Sequence, residues 1–354
     1  MRVCAVICEY NPFHLGHAYH LRAAREASGA DYVLCLMSGA LTQRGAFARH
    51  DKWLRARAAL ENGADLVLEL PTRFACAPAP DFASGGVALL SALGVATHLS
   101  FGCEPSALPL LSAAAALLQD RNLRLFRRAA RGSQPTACPY PRARALAAEQ
   151  AAGLPAALLA QPNAALALEY LQALPPEIAP VPVERRGSGY HDAALSPLSS
   201  ATAVRAALAR GDLPAALSAV PSPAPLQAAE ARGFVHEEEA LTQALLYRLR
   251  TASPDALAAL YGMDEGLERR FLAAAQTCAS REALLDFVKT KRYTRARLSR
   301  LCAYALLDLS RDFAQAHRAP EYARVLGFRR SAAPLLKAVK QPQRHSARHQ
   351  GRRF

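Results

Sequence analysis

The sequence predicts an α/β fold in which a Rossmann-like parallel sheet with a helical insertion is followed by an all-helical C-terminal domain. Two observations carry this prediction. Up to Gly102, short apolar segments of strand length alternate with helical segments, which is typical of a parallel sheet with right-handed crossovers. From His236 onward, every segment instead has the Leu and Ala spacing of a helix.

Five segments are predicted as strands because they are short, apolar and bounded by turn residues. They are residues 2–7, 31–37, 65–71, 97–101 and about 178–184. Helices are predicted between and after them, at 18–27, 51–62, 82–93, 164–174 and 199–211. Gly63 and Gly94 follow two of these helices directly, at the position where a helix C-terminus favours glycine.

Composition predicts how the chain divides. The sheet region covers 1–212 and contains a mostly helical insertion at about 105–175. Residues 213–235 are rich in Pro, Ala and Ser, which favours a linker. A helical domain is expected over 236–340, and the polar, basic segment 341–354 is expected to be disordered.

The formal net charge is +14, and all of the excess lies in one part of the chain. Acidic and basic residues balance over 1–288, whereas 289–354 holds only three acids, Asp308, Asp312 and Glu321. Such asymmetry indicates a polyanionic partner. The most basic element is 289–300, where Arg297 and Arg300 would share a helix face and Tyr293 could stack on a base.

Other classes of protein are disfavoured. No apolar run is long enough for a membrane span, and Arg2 is followed at once by a strand rather than by a signal-peptide core. The eight cysteines form no C-x-x-C pair, so buried thiols in a reducing compartment are expected and a structural zinc site is not. The expected location is the cytoplasm, with no membrane partner.

One motif carries the chemistry. His14, Gly16 and His17 follow the first strand and open the first helix. A helix N-terminus presents N–H groups and a partial positive charge, which favours phosphate. Two imidazoles at that point can stabilise the charge that develops when a nucleotide α-phosphate is attacked. Considered alone, the two histidines could also be ordinary surface residues.

A second polar stretch, Ser199 to Arg205, opens a later helix. Ser or Thr at this position is commonly only a helix cap. Together with the upstream His-x-Gly-His motif, the stretch indicates more than a cap, and a resemblance to the nucleotidyltransferase superfamily, whose members bind the β- and γ-phosphates with a Ser/Thr-rich, Arg-containing motif at this point, implies the same role here.

The His-x-Gly-His stretch resembles the signature of the nucleotidyltransferase superfamily, and the longer run 9–17 resembles the tRNA(Met) cytidine acetate ligases. Further segments that resemble this family follow in order along nearly the whole chain: 37–39, 43–45, 51–53, 59–67, 101–102, 162–163, 189–191, 200–202 with Arg205, and 289–294.

The resemblance implies a reaction in which acetate attacks the α-phosphate of ATP, and the acetyl group of the resulting acetyl-adenylate passes to N4 of the wobble cytidine of elongator tRNA(Met). Magnesium would neutralise the triphosphate, and coenzyme A would not be used. The implied catalytic residues are His14, His17 and Arg205. The implied ATP-binding residues are Ile7, Cys8, Glu9, Tyr10, Asn11, Pro12, Phe13, His14, Leu15, Gly16, His17, Ala18, Tyr19, His20, Gly102, Asn163, Arg185, Arg186, Ser200 and Thr202. The expected tRNA-binding residues are Lys289, Lys291, Arg292, Tyr293, Arg295, Arg297 and Arg300, and no metal-binding side chains are expected.

Three positions depart from the family pattern: Ala40, Ala164 and Arg186. Two alternatives therefore stay open. The chain could be a nucleotidyltransferase that acts on a small phosphorylated metabolite, although such a substrate would not require the basic C-terminal region. It could also be a non-catalytic RNA-binding protein on the same fold.

Overall fold

The computed structural model describes residues 1–119, 161–184 and 200–340, together with Glu149 and Leu158. Six strands form one sheet: β1 Val3–Cys8, β2 Tyr32–Ser38, β3 Leu66–Leu70, β4 His98–Gly102, β5 Ala179–Val183 and β6 Arg324–Phe328. Their order across the sheet is β5-β4-β1-β2-β3-β6. The first five are parallel, and β6 is antiparallel to β3. The predicted parallel sheet is confirmed, because each of the five predicted strands coincides with an observed one.

The helices of the sheet region are α1 Leu15–Ser28, α2 Lys52–Glu61, α3 Thr72–Ala75, α4 Ala79–Leu93, α5 Leu108–Gln119, α6 Pro162–Ala173, α7 Ala201–Ala209, α8 Leu213–Ser218 and α9 Pro223–Ala231. Those that follow are α10 Glu238–Thr251, α11 Pro254–Ala258, α12 Leu267–Thr277, α13 Arg281–Val288, α14 Arg295–Leu307, α15 Arg311–Ala316 and α16 Ala333–Lys340.

Both faces of the sheet are covered, as the apolar strands require. Alternate residues of β1 point to opposite sides. Val6 packs with Leu21 of α1 and Ala56 of α2. Val3 packs on the other side in a core to which α4, α5 and α6 contribute. The sheet is therefore the middle of three layers.

The strand order opens a crevice at one edge of the sheet. β1 pairs with β2 as far as Cys8↔Met37, but with β4 only as far as Val6↔Ser100. From β1 the chain continues to β2 and β3 on one side and then crosses to β4 and β5 on the other side. The carboxyl end of β1 is therefore a topological switch point. Ligands of open α/β sheets bind at such points.

Residues 213–235 are folded rather than a linker, which corrects the prediction. The region contains α8 and α9, whose apolar residues form a cluster with Val204, Ala207 and Leu208 of α7. Pro214, Pro223 and Pro225 stand in the first turn of these helices, where a missing N–H costs nothing, and Pro221 lies between the two. This segment therefore belongs to the sheet region.

The region after 236 is helical as expected from Glu238 to Ala316, but the structure adds a strand. β6 joins the sheet beside β3, and Leu335 of α16 enters the core beneath it. In return, Leu41 and Cys76 of the sheet region enter the core of the helical region. The hydroxyl of Tyr304 donates to the carbonyl of Cys76 at 2.6 Å.

Most of the predicted insertion and the segment 341–354 lie outside the described residues, as do Arg185 and Arg186. In the part of the chain that is described, no helix has both the length and the apolar character needed to cross a membrane.

Candidate active site

The turn between β1 and α1 is held by buried aromatic side chains. Tyr10 and Phe13 are buried and pack edge to face, with ring centroids 4.8 Å apart. The ring of His17 lies against both of them. Tyr10, Pro12 and Phe13, predicted to bind ATP, thus have buried side chains that support the turn.

His14 and His17 are brought together at the start of α1. Their ring centroids are 3.7 Å apart. The Nδ1 atom of His14 accepts the N–H of Gly16 at 3.0 Å, and Nδ1 of His17 accepts the N–H of His14 at 3.3 Å. This is a capping box built from two histidines. Because each Nδ1 is an acceptor, each neutral ring carries its hydrogen on Nε2, which can donate to a phosphate oxygen.

Gly16 is required by the ring that folds back over it. A Cβ atom at this position would lie 2.9 Å from Cε1 of His14. Any larger residue would therefore displace the imidazole.

The backbone N–H groups of this turn were expected to bind phosphate, but they already have other acceptors. Those of His14 and Gly16 bond the two imidazoles, that of Leu15 donates to Ala219 at 2.9 Å, and that of His17 donates to the carbonyl of His14. These N–H groups thus already have partners within the protein, one of them in a distant part of the chain. An anion here is therefore met by imidazole N–H groups and the helix dipole.

Arg205 reaches the same turn from α7. Its Nη1 donates to the carbonyl of Asn11 at 2.5 Å, and its Nη2 donates to the hydroxyl of Thr202 at 3.1 Å. The hydroxyl of Ser200 caps α7 by accepting the N–H of Ala203. The structure thus brings the second predicted motif to the first, and Ser200 serves as the helix cap.

The opposite wall of the crevice comes from β4 and α6. His20 pairs with the hydroxyl of Ser100 at 3.0 Å. Gly102 ends β4. Asn163 lies in the first turn of α6 and is half-buried, and the next residue, Ala164, is buried. The predicted ATP-binding positions that are described therefore lie at one edge of the sheet.

The residue that holds the loops of this edge together is Arg55, which was not among the predicted site residues. Arg55 of α2 is 1% exposed, and burial lowers the pKa of its guanidinium to about 10. It donates to carbonyl oxygens at 2.6 Å on Glu9, 3.1 Å on His50 and 3.2 Å on Ser38, and also to that of Gly39. The spacing of the sequence could have indicated that Arg55 is buried, because it stands four residues before Ala59 and so shares the helix face of that buried residue.

A second cluster that was missed fastens α9 to the loop before α2. The carboxylate of Glu230 accepts from Arg49 at 2.6 and 2.7 Å and pairs with Nε2 of His50 at 2.8 Å. The N–H of Arg49 in turn donates to the side chain of Asn11 at 2.9 Å. Burial lowers the pKa of His50. The partners are far apart in sequence, so no local pattern indicated them.

Five of the seven residues predicted to bind tRNA are wholly or partly accessible. Lys289, Lys291 and Arg292 are exposed. Arg295 is half-buried and forms ion pairs with Glu282 and Asp286. Arg297 is half-buried, and its guanidinium lies 5.0 Å from the centre of the Tyr293 ring.

The other two differ from the expectation. Tyr293 is 7% exposed, and its hydroxyl donates to Glu265 at 2.7 Å, so its ring is not presented to a base. Arg300 is 9% exposed and points back towards the sheet region. Arg300 is covered because the middle of α14 is buried by other elements, whereas Arg297, one turn earlier, remains partly accessible.

Comparisons with known proteins agree with this geometry. The sequence model of the HIGH Nucleotidyl Transferase family matches residues 1–348. The tRNA(Met) cytidine acetate ligase of Syntrophotalea carbinolica is 39% identical, over 97% of this chain and 84% of that protein. That of Leuconostoc mesenteroides is 37% identical, over 96% and 87%. The crystal structure of Thermotoga maritima TmcAL bound with alpha-thio ATP superposes with a TM-score of 0.87 at 31% identity, over 97% of this chain and 84% of that one.

Proposed function

The chain belongs to the HIGH nucleotidyl transferase family and, within it, to the tRNA(Met) cytidine acetate ligases, and on this premise we propose that it activates acetate with ATP and passes the acetyl group to a cytidine of tRNA(Met). It is an ATP-dependent ligase. The observation that carries the proposal is the stacked pair of His14 and His17 at a helix N-terminus beside the crevice of the sheet.

In the first step, a carboxylate oxygen of acetate attacks the α-phosphorus of ATP. The bond to the β-phosphate oxygen breaks, which leaves acetyl-adenylate and pyrophosphate. The Nε2–H groups of His14 and His17 donate to phosphate oxygens as their charge increases. The guanidinium of Arg205 adds positive charge from the other side of the turn.

In the second step, the N4 amine of the wobble cytidine of elongator tRNA(Met) attacks the acetyl carbonyl, AMP leaves with the electrons of the broken C–O bond, and the amine loses one proton to solvent. The basic segment 289–297 supports binding of the RNA by charge. Asn163, Gly102, Arg185 and Arg186 complete the proposed ATP site, and the reaction takes place in the cytoplasm without coenzyme A.

Magnesium fits this site as an ion carried by the substrate. Among the described residues, no group of three His, Cys, Asp or Glu side chains could hold a metal ion. Mg²⁺ characteristically binds through phosphates and water with few protein ligands. When bound, it neutralises charge on the triphosphate.

The test is exchange of labelled pyrophosphate into ATP with purified protein, magnesium and acetate, but without tRNA or coenzyme A. We expect exchange that depends on acetate. Exchange that responds only to a phosphorylated metabolite would support the first alternative, and tRNA binding without any exchange would support the second. Mass spectrometry of tRNA nucleosides from a deletion strain should then show loss of N4-acetylcytidine.

A further inference from the structure

The loop between β2 and α2, residues 39–50, connects the two regions of the chain, and we call it the bridging loop. Gln43 lies at its centre. Its N–H donates to the carboxylate of Glu9 at 2.7 Å, and its side chain donates to the carbonyl of Ala77 at 3.1 Å. Its carbonyl accepts from Nη1 of Arg300 at 3.2 Å. One residue therefore joins the end of β1 to a helix of the C-terminal region.

Arg300, like Arg55, is a buried cation whose guanidinium bonds a backbone carbonyl rather than a carboxylate. It is 9% exposed, and within the described residues no acidic side chain lies within ion-pair distance of its guanidinium. Burial lowers its pKa. Its hydrogen bond to the carbonyl of Gln43 fixes α14 against the bridging loop.

The bridging loop touches the backbone of α14 itself. Gly45 has φ of +79°, and a Cβ atom there would lie 2.4 Å from the backbone nitrogen of Arg300. The carbonyl of Gly45 accepts from Arg281 at 3.2 Å, and the same guanidinium bonds Ser299. A displacement of α14 would therefore move the loop with it.

Glu9 explains why the position of the loop matters to the reaction. It directly follows β1, one residue before the turn that carries His14. An unrestrained carboxylate there would repel a triphosphate. The N–H of Gln43 holds the carboxylate, and Arg55 holds the carbonyl of the same residue at 2.6 Å.

We propose that Arg300 is a positioning residue for the adenylation step: acting through Gln43, it keeps the Glu9 carboxylate away from the triphosphate. This inference rests on the proposed function. It replaces the expectation that Arg300 contacts tRNA.

The experiment compares Arg300→Met with Arg270→Met in acetate-dependent pyrophosphate exchange without tRNA. Arg270 is an exposed residue and controls for the loss of guanidinium–carbonyl hydrogen bonds, because its guanidinium donates to the carbonyls of Phe287 and Val288 but not to the bridging loop. We expect Arg300→Met to raise the KM for ATP about tenfold with kcat nearly unchanged, since one charged hydrogen bond is lost. Arg270→Met should keep the parent KM. The Kd for tRNA should be that of the parent for both.

Two further variants keep the test decisive. Arg300→Lys retains a cation that can reach the carbonyl of Gln43, so it should restore part of the KM. If Arg300→Met does not fold, Arg300→Lys is used in its place, and a KM for ATP above that of the parent supports the proposal. Adding Glu9→Gln to Arg300→Met should cost less than the sum of the two single changes, because the repelling charge is then absent.

The inference is overturned if Arg300→Met, or Arg300→Lys in its place, has the parent KM for ATP, or if it binds tRNA more weakly while exchange is normal. Failure of the proposed function is a different result, because the parent protein would then show no acetate-dependent exchange.

Discussion

Arg205 donates to the backbone oxygen of Asn11 at 2.5 Å although the two residues are 194 positions apart in the chain. The contact brings the N-terminal turn of α7 to the turn that carries the histidine pair. A cation of one motif therefore lies at the turn that carries the other.

Replacing Arg205 should impair adenylation. We expect Arg205→Met to lower the rate of acetate-dependent pyrophosphate exchange about 100-fold, because a charge that stabilises the transition state is lost. The control is Arg210→Met, which removes an exposed arginine that ends the same helix. Equal rates for the two variants would remove Arg205 from the site.

The histidine pair should matter to catalysis far more than to stability. We expect His17→Ala to reduce pyrophosphate exchange at least about 100-fold, through loss of a phosphate donor. Its free energy of unfolding should fall by only about 1 kcal/mol, the value of a helix cap. Arg22→Ala, at an exposed site on the same helix, should change neither quantity. A folded His17→Ala protein with near-normal exchange would contradict the assigned role.

Arg55 should matter most to stability. We expect Arg55→Met to lower the free energy of unfolding by about 3–5 kcal/mol, because it leaves several buried carbonyl groups without a donor. Arg57→Met, two residues later and exposed, should change it by less than about 0.5 kcal/mol. Urea unfolding measures both, and similar values would show that the Arg55 contacts contribute little.

His50 should make the fold sensitive to mild acid. Burial lowers its pKa below the ordinary value of 6.5, so below that pH the unfolded chain binds more protons than the folded one. The free energy of unfolding should therefore fall as the pH drops from about 6.5 towards 5. Urea midpoints across this range measure the effect. The dependence should be weaker in His50→Gln and retained in His98→Gln, and a flat parent profile would refute the argument.

The exposed cations of the C-terminal region should govern tRNA affinity. We expect the triple change of Lys289, Lys291 and Arg292 to Ala to weaken tRNA binding and to flatten its dependence on salt by about 0.7–0.9 per lost phosphate contact. Acetate-dependent exchange should continue. Changing Arg22, Arg57 and Arg210 to Ala removes the same charge from the sheet region, and tRNA affinity should then be nearly unchanged.

Local patterns in the sequence were enough to predict the five parallel strands and the first motif. Strand length, helix spacing and the residues between His14 and His17 all lie within short windows. Ser200 and Arg205 were predicted as part of a phosphate-binding motif. In the structure Ser200 caps its helix, and a hydrogen bond from Arg205 to Asn11, distant in the same chain, holds the motif at the turn.

The features that were missed depend on partners distant in sequence. Glu230 meets His50 across 180 positions, and Arg300 meets Gln43 across 257. Arg297 and Arg300, at helical spacing, were predicted to share a helix face that binds tRNA. Leu298, Leu301 and Cys302 are buried, however, so α14 is covered on several sides. Whether a charge is covered depends on packing that no single segment contains.

The pairing of β6 with β3 has a consequence for synthesis on the ribosome. The chain must extend past Phe328 before the free edge of β3 can be closed, long after β1 to β5 have emerged. Until then, the sheet exposes unpaired N–H and C=O groups, the type of edge through which nascent chains aggregate. A fragment that ends near residue 235 would keep this edge permanently, so we expect the ATP-binding half to be insoluble when it is expressed alone.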